Sequence, residues 1–579
     1  MNDTINLGDY MELVKWFYSY LKKYRLDVIK TTFFMFLESI VELLIPIIIA
    51  HLINKGITNR DFKYIMIISI IFLVLVILGV IGSVLNGYFS SKVAAYISYD
   101  LREDLFSSIC NRKYKDLDNV NIPKSITVFS LDITTVGTVV LYFIRLFLKV
   151  ILIFIFSIIL SIFISFKLFT IILLIIPICL ILFILIFKKA FPYFDLTQDS
   201  LDNLNRDVRE NISGIRLIKT LRQEKNEIKK YRKVNNILKN INIKSMKLVT
   251  LTGPVLQFFI YLATFLIILY SNHLLNNNLI QIGTIMAFLQ YLTMILSSLL
   301  SGSMLLLLLL KSWVSLKRIY EIINIDKDIQ LEKEYILDIN SIEVNNVSFT
   351  YNEKTSKKII NKLSFKIKKG EHVSIIGRCG SGKSTLLKLL GNFYEAESGK
   401  ILINGKDIKM YSDKEIKKNI LYINQNSKLF SGTIKFNIEF YNKNKKLNKI
   451  LKICKVNDIL KSKKQGLSTI VEPFGTNFSG GEKNRIILAR ALFKNPQVLL
   501  LDDVLNAVDI KTEKEIWQNI KKMYSNFTII EVNSRLSHLE DVDKIILLED
   551  GKIEAIGTFD EIKENKLFKE FYELQKENS

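Results

Sequence analysis

Cysteine is scarce, and the four that occur (Cys110, Cys179, Cys379 and Cys454) form no close pair and no metal-ligand spacing. That argues against a disulfide framework or a cysteine metal centre and suits free thiols in a reducing compartment. The first twenty residues lack an uninterrupted apolar core and a small-residue cleavage site, so no cleavable secretory signal is expected. No internal repeat is evident. Acidic residues are in deficit: 79 Lys and Arg against 56 Asp and Glu leave a net charge of +23. Such an excess suits nucleic acid or an anionic membrane surface. Nucleic acid is set aside, because the charge is spread along loops beside apolar spans. Much of it is also compositional background in a chain rich in Lys, Asn and Ile.

With 579 residues the chain is too long for one domain. Its hydrophobic content of 49% and mean hydropathy of +0.25 are high for a soluble protein and low for one wholly in lipid. An apolar half joined to a polar half is expected.

The apolar half comes first. Met1 to Lys30 sets Trp16, Phe17 and Tyr20 against Lys22, Lys23 and Arg25, and reads as an amphipathic segment at the membrane surface. A helix needs about 20 apolar residues to cross a bilayer. Six stretches qualify: Thr31–Ile53, Tyr64–Leu85, Thr135–Ser161, Leu168–Phe187, Leu248–Tyr270 and Ile282–Leu310. The connections at Asn86–Thr134 and Lys188–Lys247 are long, polar and basic; those at Asn54–Lys63, Ile162–Lys167 and Ser271–Gln281 are short. Lys22, Lys23 and Arg25 flank the first span, which places both termini and the long loops in the cytoplasm, although Lys55, Arg60 and Lys63 fall on the opposite side. The long loops repeat apolar residues at three and four positions, so the spanning helices should continue past the lipid. They should turn near Lys113–Asp118 and Ser213–Leu221, where they could touch a cytoplasmic domain.

Composition changes after Lys311, and a linker is expected near Asp326–Leu337. From Ile342 short β-rich runs alternate with helical ones, which predicts an α/β domain. SIEVNNVSFTY and LSFKIKKGE read as strands, and Asp550-Gly551 as the turn of a late hairpin. The expected organisation is a transmembrane domain over 1–320, a linker over 321–340 and a nucleotide-binding domain over 341–579.

The polar half carries the chemistry. The apolar run HVSII leads into Gly377, Arg378, Cys379, Gly380, Ser381, Gly382, Lys383, Ser384 and Thr385, and a helical pattern follows. Strand, glycine-rich turn and helix are the context of a phosphate-binding loop: backbone N–H groups and the helix N-terminus cradle a polyphosphate. Lys383 would reach the outer phosphates and Ser384 would ligate Mg²⁺. QVLLLDD sets Asp502 at the end of a buried strand, where an acid can hold the same metal. NFSGGEKNRIILARAL opens a second anion-ready helix at Ser479, Gly480 and Gly481.

In this order the motifs resemble the Walker A (GRCGSGKST), Walker B (VLLLDD) and signature (FSGGE) motifs of ATP-binding cassette domains. The resemblance extends to the Q-loop at Gln425, the D-loop NAVD ending at Asp509 and the aromatic Tyr351, and covers Ile342 to about Phe571. With six preceding spans, the chain is similar to an exporter-type half-transporter. The implied fold is an α-helical transmembrane domain of six spans, exporter-like (type IV), with long cytoplasmic extensions, fused to an α/β P-loop nucleotide-binding domain. The implied cofactors are ATP and Mg²⁺. Tyr351 would stack on adenine; Gln425 would contact Mg²⁺ and the attacking water and relay movement to the membrane half. Ser479, Gly480, Gly481 and Glu482 would cap ATP held by a second cassette. One cassette per chain implies a second half-transporter chain as partner, within a lipid bilayer of a bacterial cell membrane, moving a substrate the sequence does not identify (drug, lipid, peptide or metal chelate).

Two positions depart from the family. Asp503 stands where Glu normally positions or deprotonates the attacking water. One methylene less retracts the carboxylate by roughly 1.5 Å, in a role worth about 10²–10⁴-fold. Ser534 stands where the family has His before Arg-Leu-Ser, and His538 lies out of register to replace it. Both losses fall on the site built on this chain's own Lys383. Apart from Glu482, where Gln is commoner, the signature is intact. The pattern resembles the degenerate-site subunit of a heterodimeric exporter; a slow homodimer is the other reading. An ATP-gated regulator or channel, or an importer, could use the same scaffold, whereas the six spans exclude a soluble cassette of repair or translation. The N-terminal segment is too short for a peptidase domain. Cys379, beside a helix N-terminus, is expected either to be alkylated more slowly when ATP is bound or to be an inert small residue.

In the first and third spans, Glu38 with Glu42 and Arg145 with Lys149 fall one turn apart. Each such charge costs about 2.5–3.5 kcal/mol on insertion scales, so they should pair between spans or face a cavity that selects cationic substrates.

Overall fold

The structure is a computed structural model that describes residues 7–117, 122–277, 279–324, 338–351, 358–442, 446–523, 527–533, 535 and 538–576. The chain divides into two compact units. The first comprises 1–111 and 120–325, and the second 112–119 and 326–579. The linker expected at Asp326–Leu337 lies outside the described residues.

The first unit is helical. Among its described residues, six helices are long and apolar enough to cross a membrane: Arg25–Ile57, Phe62–Cys110, Ser125–Ile164, Phe166–Ala190, Glu224–Asn276 and Ile282–Gly302. Their ends follow local chemistry. Asp61 accepts the Tyr64 N–H at 3.0 Å and starts the second span, and Ser165, extended at φ −161°, caps the fourth. Four helices run to more than twice the roughly 20 residues a bilayer needs, with 49, 48, 53 and 42 residues at Phe62–Cys110, Phe166–Ser213, Glu224–Asn276 and Ile282–Ile323. The turns between them carry short helices at Tyr114–Leu117 and Ile215–Thr220, within the two segments where the sequence predicts them.

The N-terminal helix Leu7–Lys23 is amphipathic, and one of its faces packs on protein. Leu13 and Tyr20 are buried with Val93, Ile97 and Ile319, and Trp16 meets Tyr320 edge-on at 5.3 Å. Tyr20 donates to Asp104 at 2.5 Å and Lys23 pairs with Asp100 at 2.7 Å. Its aromatic face is therefore occupied by protein.

The intramembrane charges resolve unequally. Lys149 Nζ lies 2.8 Å from Glu38 and 2.7 Å from Glu42, and Asn86 donates to Glu38 at 3.1 Å. Arg145 points to Gly87 instead, where an added Cβ would sit 3.7 Å from its guanidinium carbon. Pairing between spans thus holds for three of the four groups.

The second unit is α/β. Its strands are β1 (Ser341–Phe349), β2 (Ile360–Lys368), β3 (His372–Gly377), β4 (Ser398–Ile403), β5 (Lys406–Asp407), β6 (Ile420–Ile423), β7 (Gly432–Thr433), β8 (Ile470–Val471), β9 (Val498–Asp502), β10 (Thr528–Val532), β11 (Lys544–Glu549) and β12 (Lys552–Gly557). A sheet ordered β12-β11-β3-β10-β9-β6 is parallel except for β12, and a second sheet, β2-β1-β4-β5, is antiparallel. β3, β9 and β10 are near-continuous apolar runs because helices cover both faces of a parallel sheet. Side chains alternate between two cores: Val373, Ile375, Leu500 and Ile530 on one face, Leu499, Leu501, Ile529 and Trp517 on the other. β3 and β9 run parallel on either side of β10, so Gly377 and Asp502 emerge at the same edge.

Candidate ATP site

β3 ends at Gly377, whose φ of +150° places it in glycine territory; a Cβ there would meet the Leu548 carbonyl oxygen at 2.0 Å. The loop continues through Arg378, Cys379, Gly380, Ser381 and Gly382 into the helix Lys383–Leu390. Lys383 Nζ donates to the Gly377 and Arg378 carbonyls, both at 2.7 Å, which folds the ammonium back over the loop. Burial pushes its pKa below the ordinary lysine value, despite Cys379, Asp503 and Asp502 nearby. A desolvated cation at the start of the helix Lys383–Leu390 fits a polyphosphate. The buried Ser381 hydroxyl, which has no hydrogen-bond partner among the described residues, fits as well. Arg378 reaches Glu549 at 3.5 Å and Glu570 at 3.4 Å, and Cys379 is exposed.

The metal-binding candidates meet. Ser384 Oγ donates to Asp502 Oδ1 at 2.8 Å, and Tyr422 Oη donates to Asp502 Oδ2 at 2.9 Å. Burial, and then the Asp502 carboxylate, push the Tyr422 phenol well above its usual pKa, so it remains a donor. An acid and a hydroxyl at this spacing are the hard oxygen donors Mg²⁺ takes. Asp503 is left-handed at φ +54°, and its Oδ2 accepts from Gln425 Nε2 at 3.1 Å and Asn506 Nδ2 at 2.9 Å. Gln425 is thus brought to Asp503. Tyr351 is 45% exposed and stands edge-on to Tyr394 at 5.1 Å, with its hydroxyl 3.3 Å from Thr385 Oγ1. An open aromatic face beside the loop suits a nucleobase.

Ser479, Gly480, Gly481 and Glu482 form a separate feature. Ser479 caps the helix Gly480–Lys494, accepting the Glu482 N–H at 3.2 Å, while Glu482 Oε2 accepts the Ser479 N–H at 2.8 Å. This reciprocal capping box gives the glutamate its local role. Gly481 lies against the D-loop, where a Cβ would meet the Ala507 carbonyl oxygen at 2.8 Å. The D-loop ends at Asp509, which accepts the Thr512 N–H at 2.9 Å.

Ser534 lies outside the described residues; its neighbours Asn533 and Arg535 do not. Arg535 donates to the Val508 carbonyl at 2.6 Å, tying this segment to the D-loop. His538 is 2% exposed, and its Nε2 sits 2.5 Å from Glu531 Oε1, so its imidazole is committed to the core.

Residues 28–299 match the family described as the ABC transporter transmembrane region, and residues 360–506 match the family described as ABC transporter. The chain is 31% identical over 563 residues to the uncharacterised ABC transporter ATP-binding protein YfiB of Bacillus subtilis, spanning 96% of this chain and 98% of that protein. It is 32% identical to a provisionally named export ATP-binding/permease protein of Rickettsia bellii, over 93% of this chain and 94% of that one. The chain belongs to the ABC transporter family. A solved bacterial Atm1-family ABC exporter with ATP bound superposes with a TM-score of 0.82 at 21% identity, covering 95% of this chain and 98% of that one. The fold is therefore the ABC exporter fold, a multi-span membrane region joined to a cassette. Members of this family bind ATP, normally with Mg²⁺, hydrolyse it, and act as dimers within a membrane.

Sequence reasoning missed three residues around this site. Tyr422 and Asn506 fix the two carboxylates, and Tyr114, in the segment 112–119, stacks edge-on on Phe393 at 4.7 Å. Phe393 in turn meets Tyr422 at 5.2 Å, so an aromatic row leads from Tyr114 to Asp502. The one available signal was Tyr422 itself, a hydroxyl in the short apolar strand before Gln425.

Proposed function

We propose that this chain is one half of a heterodimeric ATP-driven exporter and that its own Lys383 site hydrolyses weakly. The carrying observation is the Asp503 carboxylate. It is a methylene shorter than the usual glutamate and already holds two amide donors, Gln425 and Asn506. A carboxylate so occupied, and retracted by roughly 1.5 Å, is poorly placed to take a proton from water. The Ser479–Glu482 capping box, by contrast, is complete and presents a helix N-terminus.

In this reading the region 1–320 forms the pathway, 321–340 links, and 341–579 works the nucleotide. Tyr351 stacks on adenine. Gly377, Arg378, Cys379, Gly380, Ser381, Gly382 and Thr385 shape the cradle, and Lys383 neutralises the outer phosphates. Ser384 and Asp502 would hold Mg²⁺, with Gln425 at its edge. Mg²⁺, when bound, neutralises charge on the β- and γ-phosphate oxygens. Ser479, Gly480, Gly481 and Glu482 face the partner's ATP, and Asp503 and Ser534 are the weak catalytic positions. The partner chain supplies Glu and His at its own site and carries an altered signature. The cassette and both termini are cytoplasmic, in a bacterial cell membrane.

Purification of this chain alone, compared with its co-purified complex, tests the proposal. The lone chain should turn ATP over slowly and without cooperativity, and the complex faster. Brisk cooperative turnover by the lone chain would sink the heterodimer. ATP-dependent accumulation of cargo in inside-out vesicles separates a pump from an ATP-gated channel, which cannot move solute uphill.

A further inference from the structure

Only four histidines occur in the chain, yet two of them converge on one buried carboxylate. His372 opens β3, and β10 pairs with it so that Ile529 faces His372 and Glu531 faces Ser374. Alternation puts His372, Ser374 and Glu531 on one face of the sheet. The helix Ile510–Met523 covers that face and contributes Trp517, whose ring centroid lies 4.8 Å from that of His372 and 5.0 Å from that of His538. A parallel strand covered by a helix is expected to be apolar, so a carboxylate at Glu531 needs a charged partner or a metal there.

The donor geometry is close. His538 Nε2 lies 2.5 Å and His372 Nε2 3.2 Å from Glu531 Oε1. One donor atom from each of the three residues lies within 4.8 Å of the others. The side chains of His538 and Glu531 are 1% and 3% exposed, and that of His372 is 17% exposed. Behind His538, the fully buried Glu513 comes within 3.6 Å of Nδ1. Among the described residues, His538 Nδ1, His372 Nε2 and Glu513 Oε2 are buried without hydrogen-bond partners.

We propose that His372, Glu531 and His538 form a resident Zn²⁺ site in the core of the nucleotide-binding unit. Two imidazoles and a carboxylate are a donor set zinc takes, at about 2.0–2.2 Å from each. Tetrahedral bonds of that length set donors about 3.3 Å apart, so the oxygen need retreat from His538 by only about 0.8 Å. Zinc on Nε2 fixes the proton on Nδ1, directed at Glu513, which is the carboxylate–histidine–metal arrangement of many metal sites. Glu531 and Glu513 together balance a divalent charge. Water entering beside His372, the only partly exposed ligand, supplies the fourth donor. The ligands belong to the core beneath the helix Ile510–Met523 and not to the phosphate-binding loop, so the role assigned is structural. Asn533 donates to Glu513 at 3.2 Å, and the metal would fasten the exit of β10 to the helix Ile510–Met523.

The test uses the full chain in detergent, stripped with a chelator and titrated with Co²⁺ without nucleotide. One equivalent should bind with the intense visible bands of four-coordinate Co²⁺, be displaced by Zn²⁺, and quench Trp517. His538→Ala and His372→Asn should abolish the bands. His372→Asn touches the partly exposed ligand and should leave the unfolding temperature of the stripped protein unchanged. Glu513→Gln should weaken binding about 10–100-fold. Absence of one-to-one binding to the folded wild-type chain, or bands that survive His372→Asn, would overturn the site in favour of a purely hydrogen-bonded cluster.

Discussion

Asp503 shows how much chemistry one methylene can shift. Its carboxylate is held by Gln425 and Asn506, and the position that normally carries histidine is Ser534. Restoring both as Asp503→Glu with Ser534→His should raise ATP turnover of the lone chain by about 10²-fold or more, read in a phosphate-release assay. A rate that stays flat would mean that the weakness lies elsewhere in the site. Tyr422 makes a different claim. Its hydrogen bond to the charged Asp502 is of the kind worth about 1.5–3 kcal/mol. Tyr422→Phe should therefore weaken binding of Mg²⁺ with a fluorescent ATP analogue, about tenfold or more. Binding in EDTA should stay the same, because only the metal arm uses Asp502. Maleimide labelling in a Cys110→Ser background asks the same of Cys379: MgATP should slow it, and an unchanged rate would make the thiol a bystander.

At the scale of elements, the helix Gly480–Lys494 begins with a capping box that serves the fold and is proposed to face a second nucleotide. Ser479→Ala removes the cap at a cost of about 1 kcal/mol, whereas Ser479→Thr preserves it. Thermal unfolding should follow that order. Glu482→Gln should be silent for stability, because glutamine completes the box equally well. These elements were legible because strand, glycine turn and helix N-terminus are written within a few residues of one another. Strands β1 and β2 and the Asp550-Gly551 hairpin were legible for the same reason. Helix ends were less so: the third span, expected at Thr135–Ser161, begins at Ser125 and runs through π-helical turns at Val128–Asp132 and Phe143–Phe147. A hydrophobic window averages composition, and the first turns of that helix interleave Ser125, Thr127, Ser130, Asp132 and Thr134 with apolar residues, which dilutes the signal.

At the scale of the whole molecule, contacts between distant segments decide what sequence alone cannot. His372 and Glu531 lie far apart in the chain and meet only because β3 and β10 pair, so no local pattern announces them. The Lys149 pairing is similar, since periodicity placed the charges on their helices but left their facing open. Lys149→Met would strand Glu38 and Glu42 beside an apolar side chain, and breaking a buried pair in this way costs about 3–5 kcal/mol. The expected result is a large fall in unfolding temperature in nanodiscs, largely restored when Glu38→Gln and Glu42→Gln are added. An unchanged melt for the single variant would show that the pair does not hold the spans together.

The segment 112–119 is written among the membrane helices yet packs as part of the second unit, with Tyr114 laid over Phe393 and Tyr394. A gene fragment cut at residue 341 would therefore express a cassette missing a piece of its own hydrophobic skin. Those two rings would lose one side of their cover, a sticky spot through which truncated copies would clump. A soluble cassette for biochemistry is better made by grafting that eight-residue patch back on than by trimming at the obvious boundary.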